Sequence, residues 1–240
     1  MKLDVLAIGA HPDDVELGCG GTLALLARQG RKVGILHLTR GEQGTRGTAE
    51  ERIAEAERAA QALGAVELDF LDCGDGGLRT GPAEEDALIA KLRQWQPELV
   101  LGPTPRDRHP DHGRAHGLVA AACFYAGLRN RAPQAGPPHR PAAVFAYMQH
   151  DLFEPSFVVD ISSVWETKLE ALRAYRSQFH QPGEEGKPVT KISTPEFWHT
   201  VEGRARHFGF LISAALGEPF WSRLPLAVAD PMTILPGGVR

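Results

Sequence analysis

Four short apolar runs alternate with four helix-like segments in the first half of the chain, and this order constrains the fold most. The apolar runs are predicted as buried strands, at residues 3–9, 32–38, 66–71 and 98–102. The helix-like segments cover residues 20–29, 48–63, 84–95 and 112–128. An alternating order of strands and helices predicts a parallel sheet with helices on both faces. We therefore expect an α/β fold with a Rossmann-like, doubly wound and mainly parallel sheet.

The second half adds further strands and helices to this core. Strands are predicted at residues 142–149 and 156–161, and helices at 163–177 and 195–216. A length of 240 residues suits one domain. We expect a single domain over 1–240, in which 1–128 form the metal-binding core, 142–221 complete the cleft and 222–240 form an extended tail.

Composition and charge exclude several classes of protein. The formal net charge of −4 argues against a chain-wide electrostatic grip on nucleic acid. No apolar run approaches the roughly 20 residues that a membrane span needs, and the N-terminal run is too short for a signal peptide. The three cysteines are far apart and form no CxxC pair, which is typical of a reducing compartment. We therefore predict a cytoplasmic protein that binds neither nucleic acid nor membrane.

The turn after the first predicted strand carries the sequence His11-Pro12-Asp13-Asp14. In doubly wound sheets, ligands bind beyond the carboxyl ends of the strands, so this turn lies at the binding edge. The glycines nearby do not match the G-x-G-x-x-G pattern of dinucleotide-binding proteins. Imidazole nitrogen and carboxylate oxygen are ordinary zinc ligands, and this favours a metal site. The alternative is that the two aspartates only cap the helix that follows.

A second cluster, His109-Pro110-Asp111-His112, follows the fourth predicted strand. If the two strand ends meet, two histidines and one aspartate form the ligand set of a catalytic zinc site. The carboxylate of Asp111 is a candidate to orient the ring of His109. His116 lies four residues after His112, but Gly113 stands where a zinc helix of the HExxH type has its glutamate. We therefore interpret His116 as a packing residue or as a residue that supports a ligand from outside the metal site. The alternative is a solvated polar turn.

These motifs resemble those of the PIG-L/LmbE family of zinc-dependent N-acetylglucosaminyl deacetylases. The resemblance rests on HPDD after the first strand, TRGE and GTRGT at residues 39–48, and HPDH before the fourth helix. It extends from Asp4 to about Trp221. The stretches GAHPDDVELGCGGT, YRSQF and GEPF are most similar to bacillithiol biosynthesis deacetylases, which act on N-acetylglucosaminyl malate. Val15 departs from the glutamate that many family members have at this position.

The resemblance implies a role for each residue of the two clusters. The zinc ligands would be His11, Asp14 and His112. Asp13 would be the general base and later the general acid, while His109, oriented by Asp111, would stabilise the oxyanion. The implied substrate is a small amino-sugar conjugate and the implied cofactor is Zn²⁺.

Recognition of a malate aglycone requires an arginine, because a guanidinium forms paired hydrogen bonds with carboxylates. Arg52 corresponds best to the substrate arginine of the family, and Arg46 is its rival. Arg106 and Arg108, beside the metal loop, are further candidates. The family habit and the apolar residues of the last third suggest a homo-oligomer, either a trimer or a hexamer.

Three other functions remain open from the sequence. The chain could act on another N-acetylglucosamine derivative, such as a chito-oligosaccharide or a mycothiol-type conjugate. Two histidines and one carboxylate also suit Fe(II), which would make the chain a non-haem iron oxygenase. A non-catalytic nucleotide-binding module is the third alternative.

Overall fold

The computed structural model describes residues 1–181, 183 and 186–230. Within these residues the chain forms seven strands: β1 Val5–Gly9, β2 Val33–His37, β3 Glu67–Phe70, β4 Leu99–Gly102, β5 Ala143–Tyr147, β6 Phe157–Asp160 and β7 Gly217–Ser222. The same part of the chain forms six α-helices: α1 Asp14–Arg28, α2 Ala49–Leu63, α3 Pro82–Trp95, α4 Pro110–Tyr125, α5 Trp165–Ala174 and α6 Pro195–Leu211. None of these helices is long and apolar enough to cross a membrane.

The strands form one sheet in the order β3-β2-β1-β4-β5-β7-β6. The first five strands in this order are parallel, whereas β7 runs antiparallel between β5 and β6. The predicted fold class is therefore confirmed. Strand β1 pairs with both β2 and β4, so the direction of strand addition reverses there. At such a point the loops after two neighbouring strands lie side by side.

Two apolar cores cover the two faces of the sheet. One core contains residues from α1, α2, α5 and α6, among them Leu23, Ala59 and Leu172. The other contains residues from α3 and α4, among them Leu92 and Val119. Burial on both faces explains why the parallel strands are almost continuously apolar in sequence.

Helix α1 begins at Asp14, six residues before the predicted start, because a glycine-rich stretch continues the helix with a kink. The kink lies at Cys19, whose φ of −142° and ψ of 18° are not helical. The flanking glycines allow close packing: a Cβ atom at Gly18 would lie 2.1 Å from Cδ2 of Tyr147, and one at Gly21 would lie 2.9 Å from Cβ of Ile161.

The kink frees backbone groups of α1, and buried charges from the C-terminal part bind them. The carbonyl of Leu17 accepts hydrogen bonds from Lys168 Nζ (3.0 Å) and Arg204 Nη2 (2.9 Å). The amides of residues 21 and 22 donate to the carboxylate of Glu218, at 2.8 and 2.7 Å. Lys168 and Glu218 also form a buried ion pair. The kink thus ties α1 to α5, α6 and β7.

Two features of the last third differ from the sequence prediction. Helix α6 ends at Leu211 instead of residue 216, and β7 was not predicted. A proline within a run argues against a strand, and β7 contains Pro219. The structure accommodates it because β5 pairs only with residues 220–222 of β7. Of the predicted tail over 222–240, residues 231–240 lie outside the described part of the chain.

Candidate metal centre and active site

The turn after β1 and the loop after β4 meet at the carboxyl edge of the sheet, as predicted. Pairing of β1 with β4 places the two loops side by side. The ring centroid of His11 lies 4.7 Å from that of His109 and 5.6 Å from that of His112. The rings of His109 and His112 are 5.0 Å apart. Histidines from two distant parts of the sequence thus form one cluster.

Asp14 lies between two of these histidines. Its Oδ2 is 3.4 Å from His11 Nδ1 and accepts the backbone N–H of the same residue at 2.8 Å. Its Oδ1 is 3.2 Å from His112 Nε2 and accepts a hydrogen bond from Gln149 Nε2 at 2.6 Å. Although burial raises the pKa of Asp14, the charge of His112 and the hydrogen bond with His11 hold it well below its ordinary value.

Two further carboxylates approach the other nitrogen of His11. Nε2 of His11 lies 3.1 Å from Asp75 Oδ1 and 3.5 Å from Asp111 Oδ2. Sequence reasoning missed Asp75, which lies in the loop after β3. The signal was available, since Asp75 follows a strand whose carboxyl end lies at the same edge of the sheet.

The donor atoms fit a divalent metal of the zinc type. One ligand atom from each of His11, His109 and His112 lies within 4.8 Å of the others, and the same holds for His11, Asp75 and Asp111. Among the described residues, His11 Nε2 and Asp111 Oδ2 are buried without a hydrogen-bond partner. Imidazoles and carboxylates crowded together in this way are the donors that zinc takes.

Asp13 occupies a strained backbone position beside this cluster. It is the N-cap of α1 and has a φ of 99°, in the left-handed region that residues other than glycine rarely adopt. Burial raises the pKa of Asp13 to about 7, against the lowering effect of the Arg52 guanidinium. A carboxylate that titrates near neutrality suits proton transfer.

Arg52 lies against the turn that carries Asp13, and its predicted contact with the substrate stays a prediction. The side chain is buried, and its Nη2 lies 3.3 Å from Asp13 Oδ2 and donates to the carbonyl of Pro12. Its Nη1 donates to the carbonyl of Gly41 at 3.4 Å. The guanidinium therefore supports the turn that carries Asp13.

Arg46 contacts backbone carbonyls of the C-terminal part. Its Nε donates to the carbonyl of Ser177 (2.8 Å) and its Nη1 to that of Pro188 (3.2 Å). It lines a cavity of about 650 Å³ between α2 and the segments that contain Ser177 and Pro188. These contacts place Arg46 beside a cavity, and its predicted contact with the substrate stays a prediction.

The predicted orientation of His109 by the carboxylate of Asp111 is corrected. It is the backbone N–H of Asp111 that donates to His109 Nδ1, at 3.2 Å. The carboxylate instead accepts hydrogen bonds from the amide of Leu78 and from Arg114, both at 3.0 Å. Because Nδ1 of His109 is an acceptor, the proton of the neutral ring lies on Nε2. Burial, together with the charges of His11 and His112, lowers the pKa of His109.

Two further polar residues lie in this part of the chain, His116 in α4 and Asp107 in the loop after β4. His116 Nδ1 lies 3.0 Å from the carbonyl of Pro103, and its interpretation as a packing or supporting residue stays a prediction. Asp107 contacts His112, since its Oδ1 lies 3.0 Å from His112 Nδ1. The sequence alone does not indicate which histidine a carboxylate of this loop contacts.

Several known proteins are similar to this chain in sequence and fold. Residues 6–123 match the family model described as PIG-L, GlcNAc-PI de-N-acetylase. A diacetylchitobiose deacetylase of Thermococcus kodakarensis is 38% identical over 189 residues, 73% of this chain and 70% of that protein. A 4-oxalmesaconate hydratase of Pseudomonas putida is 30% identical over 196 residues, 73% of this chain and 74% of that protein. The solved structure of the conserved protein TT1542 of Thermus thermophilus is 40% identical, with a TM-score of 0.85, and the match covers 95% of this chain and 97% of that one.

The fold and the buried cluster define an α/β protein with a cluster of potential metal ligands at the carboxyl edge of its sheet. The similarity to the deacetylase of Thermococcus kodakarensis extends over most of both chains. This chain belongs to the PIG-L family.

Proposed function

We propose that the chain is a zinc-dependent hydrolase that removes the N-acetyl group from an N-acetylglucosaminyl conjugate and releases acetate. The observation that carries this proposal is the buried cluster of His11, Asp14 and His112, with Asp13 held beside it. The similarity to a diacetylchitobiose deacetylase supports the type of bond that is cleaved.

The metal would be held by His11, Asp14 and His112, which offer two imidazoles and one carboxylate. A zinc ion in such a site polarises the acyl oxygen and lowers the pKa of a water molecule. The contribution of the protein is to hold these three side chains in place. Gln149 and the backbone amide of His11 each hold one oxygen of the Asp14 carboxylate.

Asp13 would act as the general base and then as the general acid. Its Oδ2 faces Arg52, so Oδ1 is the atom that takes the proton from the attacking water. The same atom returns the proton to the amine when the C–N bond breaks. A base whose pKa lies near the working pH serves both directions of transfer.

His109 would donate a hydrogen bond to the developing oxyanion. Its Nδ1 accepts the N–H of Asp111, which leaves the proton on Nε2 as the donor. Loss of one such donor costs about 3–4 kcal/mol of transition-state stabilisation in comparable sites.

For the finer identity of the substrate we propose N-acetylglucosaminyl malate, as in bacillithiol biosynthesis. The motifs GAHPDDVELGCGGT, YRSQF and GEPF resemble those of bacillithiol biosynthesis deacetylases, and this resemblance supports malate as the aglycone. Arg106 and Arg108, which are exposed in the loop after β4, are further candidates beside Arg52 and Arg46 to bind the malate carboxylates.

The test combines zinc content with assays on three compounds. We expect about one tightly bound zinc per chain and deacetylation of N-acetylglucosaminyl malate in preference to N,N'-diacetylchitobiose. A preference for diacetylchitobiose would overturn N-acetylglucosaminyl malate as the substrate but not the proposed deacetylase reaction. Hydration of 4-oxalmesaconate without deacetylation would overturn the proposed reaction, since one relative is named as that hydratase.

We further propose that the protein is a homo-oligomer, a trimer or a hexamer, in the cytoplasm. Phe210 and Leu211 at the end of α6 are 80% and 53% exposed, which supports contact with another copy. The three cysteines are buried and unpaired, which agrees with a reducing compartment. Sedimentation equilibrium tests the oligomeric state, and a monomer at micromolar concentration would overturn the proposed trimer or hexamer.

A further inference from the structure

Asp107 lies in the loop after β4, and its side chain is fully buried beside the histidine cluster. Its two oxygens face opposite directions. Oδ1 lies 3.0 Å from His112 Nδ1 and accepts the backbone N–H of His109 at 3.1 Å. Oδ2 accepts the backbone N–H groups of His150 (2.9 Å) and Asp151 (3.2 Å). One carboxylate thus joins the second histidine motif to the segment after β5.

The contact with His112 determines which of its nitrogens can bind a metal. A carboxylate only accepts hydrogen bonds, so Nδ1 of His112 carries the proton in this contact. In a neutral ring the lone pair then lies on Nε2, the atom that faces Asp14. A carboxylate behind a metal-binding histidine fixes the ring and raises its basicity as a ligand.

The second oxygen of Asp107 is linked to the same histidine cluster through the segment that follows β5. Residues 149–151, which we call the β5 strap, lie in the segment that follows β5. Gln149 of this strap donates to Asp14 Oδ1 at 2.6 Å. The ring of His150 stacks on that of His112 with centroids 6.0 Å apart and planes 9° apart. The strap therefore contacts both Asp14 and His112, and Asp107 holds its backbone.

We propose that Asp107 is a positioning residue that selects Nε2 of His112 as the metal ligand and couples metal binding to the order of the β5 strap. The inference rests on the proposed metal centre. It goes further because it assigns to one buried carboxylate the link between the first half of the chain and the C-terminal part.

The substitution Asp107→Asn tests the link, because an asparagine has one acceptor oxygen instead of two. If this oxygen faces the strap, the amide nitrogen faces Nδ1 of His112 and forces the proton onto Nε2. If it faces His112, the strap amides lose their acceptor. Glu154→Gln, an exposed change from carboxylate to amide in the same segment but outside the strap, is the matched control.

We expect zinc affinity, measured by competition with a chelator, to fall about 10- to 100-fold in Asp107→Asn and to stay unchanged in Glu154→Gln. In the zinc-loaded variant, either the ¹⁵N signals of His112 change or the amides of His150 and Asp151 exchange faster with solvent. Unchanged zinc affinity would overturn the proposal. Weaker binding without either of the other two changes would overturn the coupling.

The zinc-loaded wild-type protein provides a measurement that does not depend on folding of the variant. We expect His112 to carry its proton on Nδ1 and the two strap amides to be protected from exchange. A proton on Nε2 of His112, or rapid exchange at both amides, would overturn the proposal. A wild-type protein that binds no zinc would instead refute the proposed metal centre itself.

Discussion

At the scale of single residues, the chemistry of Asp13 comes from its neighbours. The turn places it at a φ of 99°, burial raises its pKa to about 7, and Arg52 holds one of its oxygens. The adjacent Asp14 has the same side chain, yet His112 and His11 hold its pKa low. Their environments therefore differ in the way that the proposed roles require, Asp13 as the base and Asp14 as a metal ligand.

Replacing Asp13 by Asn should remove the base and leave the ligands in place. We expect kcat for deacetylation to fall about 10²- to 10⁴-fold, with zinc still bound in a 1:1 ratio. His11→Ala, by contrast, should lose the metal. Metal analysis beside steady-state kinetics checks both variants, and near-normal kcat in Asp13→Asn with zinc bound would show that another group is the base.

Glu16 makes stability depend on pH. It is buried, one carboxylate oxygen accepts the Tyr175 hydroxyl at 3.0 Å, and burial raises its pKa to about 8. Because the folded state holds the proton more tightly, the neutral group favours folding below pH 4.5, and this stabilisation is lost as the pH rises towards 8.

Glu16→Gln should therefore gain stability relative to the wild-type protein as the pH rises from about 4.5 to about 8.5. We expect the difference in unfolding free energy to change by on the order of 4 kcal/mol in favour of the variant. Urea denaturation of the metal-free proteins measures it. Glu170→Gln, an exposed change on α5, should show no such trend, and a flat difference for Glu16→Gln would contradict the assignment.

At the scale of secondary structure elements, the kinked helix α1 packs closely against the sheet next to the turn that carries the HPDD motif. The helix approaches β5 closely because Gly18 has no side chain between it and Tyr147. The hydroxyl of Tyr147 in turn donates to the carbonyl of Ile8 in β1 at 2.8 Å. The glycine-rich stretch after the HPDD motif is thus a packing feature and not a phosphate-binding loop.

Gly18→Ala tests this close packing. The new methyl group would overlap Tyr147, and we expect a loss of about 1–3 kcal/mol in unfolding free energy. Gly117→Ala in α4 is the matched control. Among the described residues, no group from another part of the chain lies within 4 Å of its Cβ position, and alanine favours a helix by roughly 0.5–1 kcal/mol. Chemical denaturation of both variants decides, and equal stabilities would refute the packing argument.

At the scale of the whole molecule, the two parts of the chain meet at the metal centre. The first 128 residues supply the histidines and carboxylates, and the C-terminal part supplies Gln149 and the backbone amides that hold Asp14 and Asp107. A ligand that binds this centre should therefore stabilise the entire fold, because it binds the folded state alone.

Zinc at about 100 times its dissociation constant should raise the unfolding free energy by about 2.7 kcal/mol. For a chain of this length, that corresponds to a rise of roughly 5–10 °C in Tm. Differential scanning calorimetry measures it. The rise should disappear in His112→Ala and persist in His199→Ala, whose histidine is exposed on α6; equal rises in both variants would place the zinc elsewhere.

The sequence alone determined the alternating fold and the residues of the two histidine motifs, because strand and helix periodicity is local and the motifs lie directly at strand ends. Tertiary structure decided which groups touch. It brought Asp75 to His11, turned Arg52 towards Asp13, gave the carboxylate of Asp111 to Leu78 and Arg114, and inserted β7 between two strands. These contacts join residues far apart in the chain, and a buried polar group takes whichever partner the packed fold places within reach.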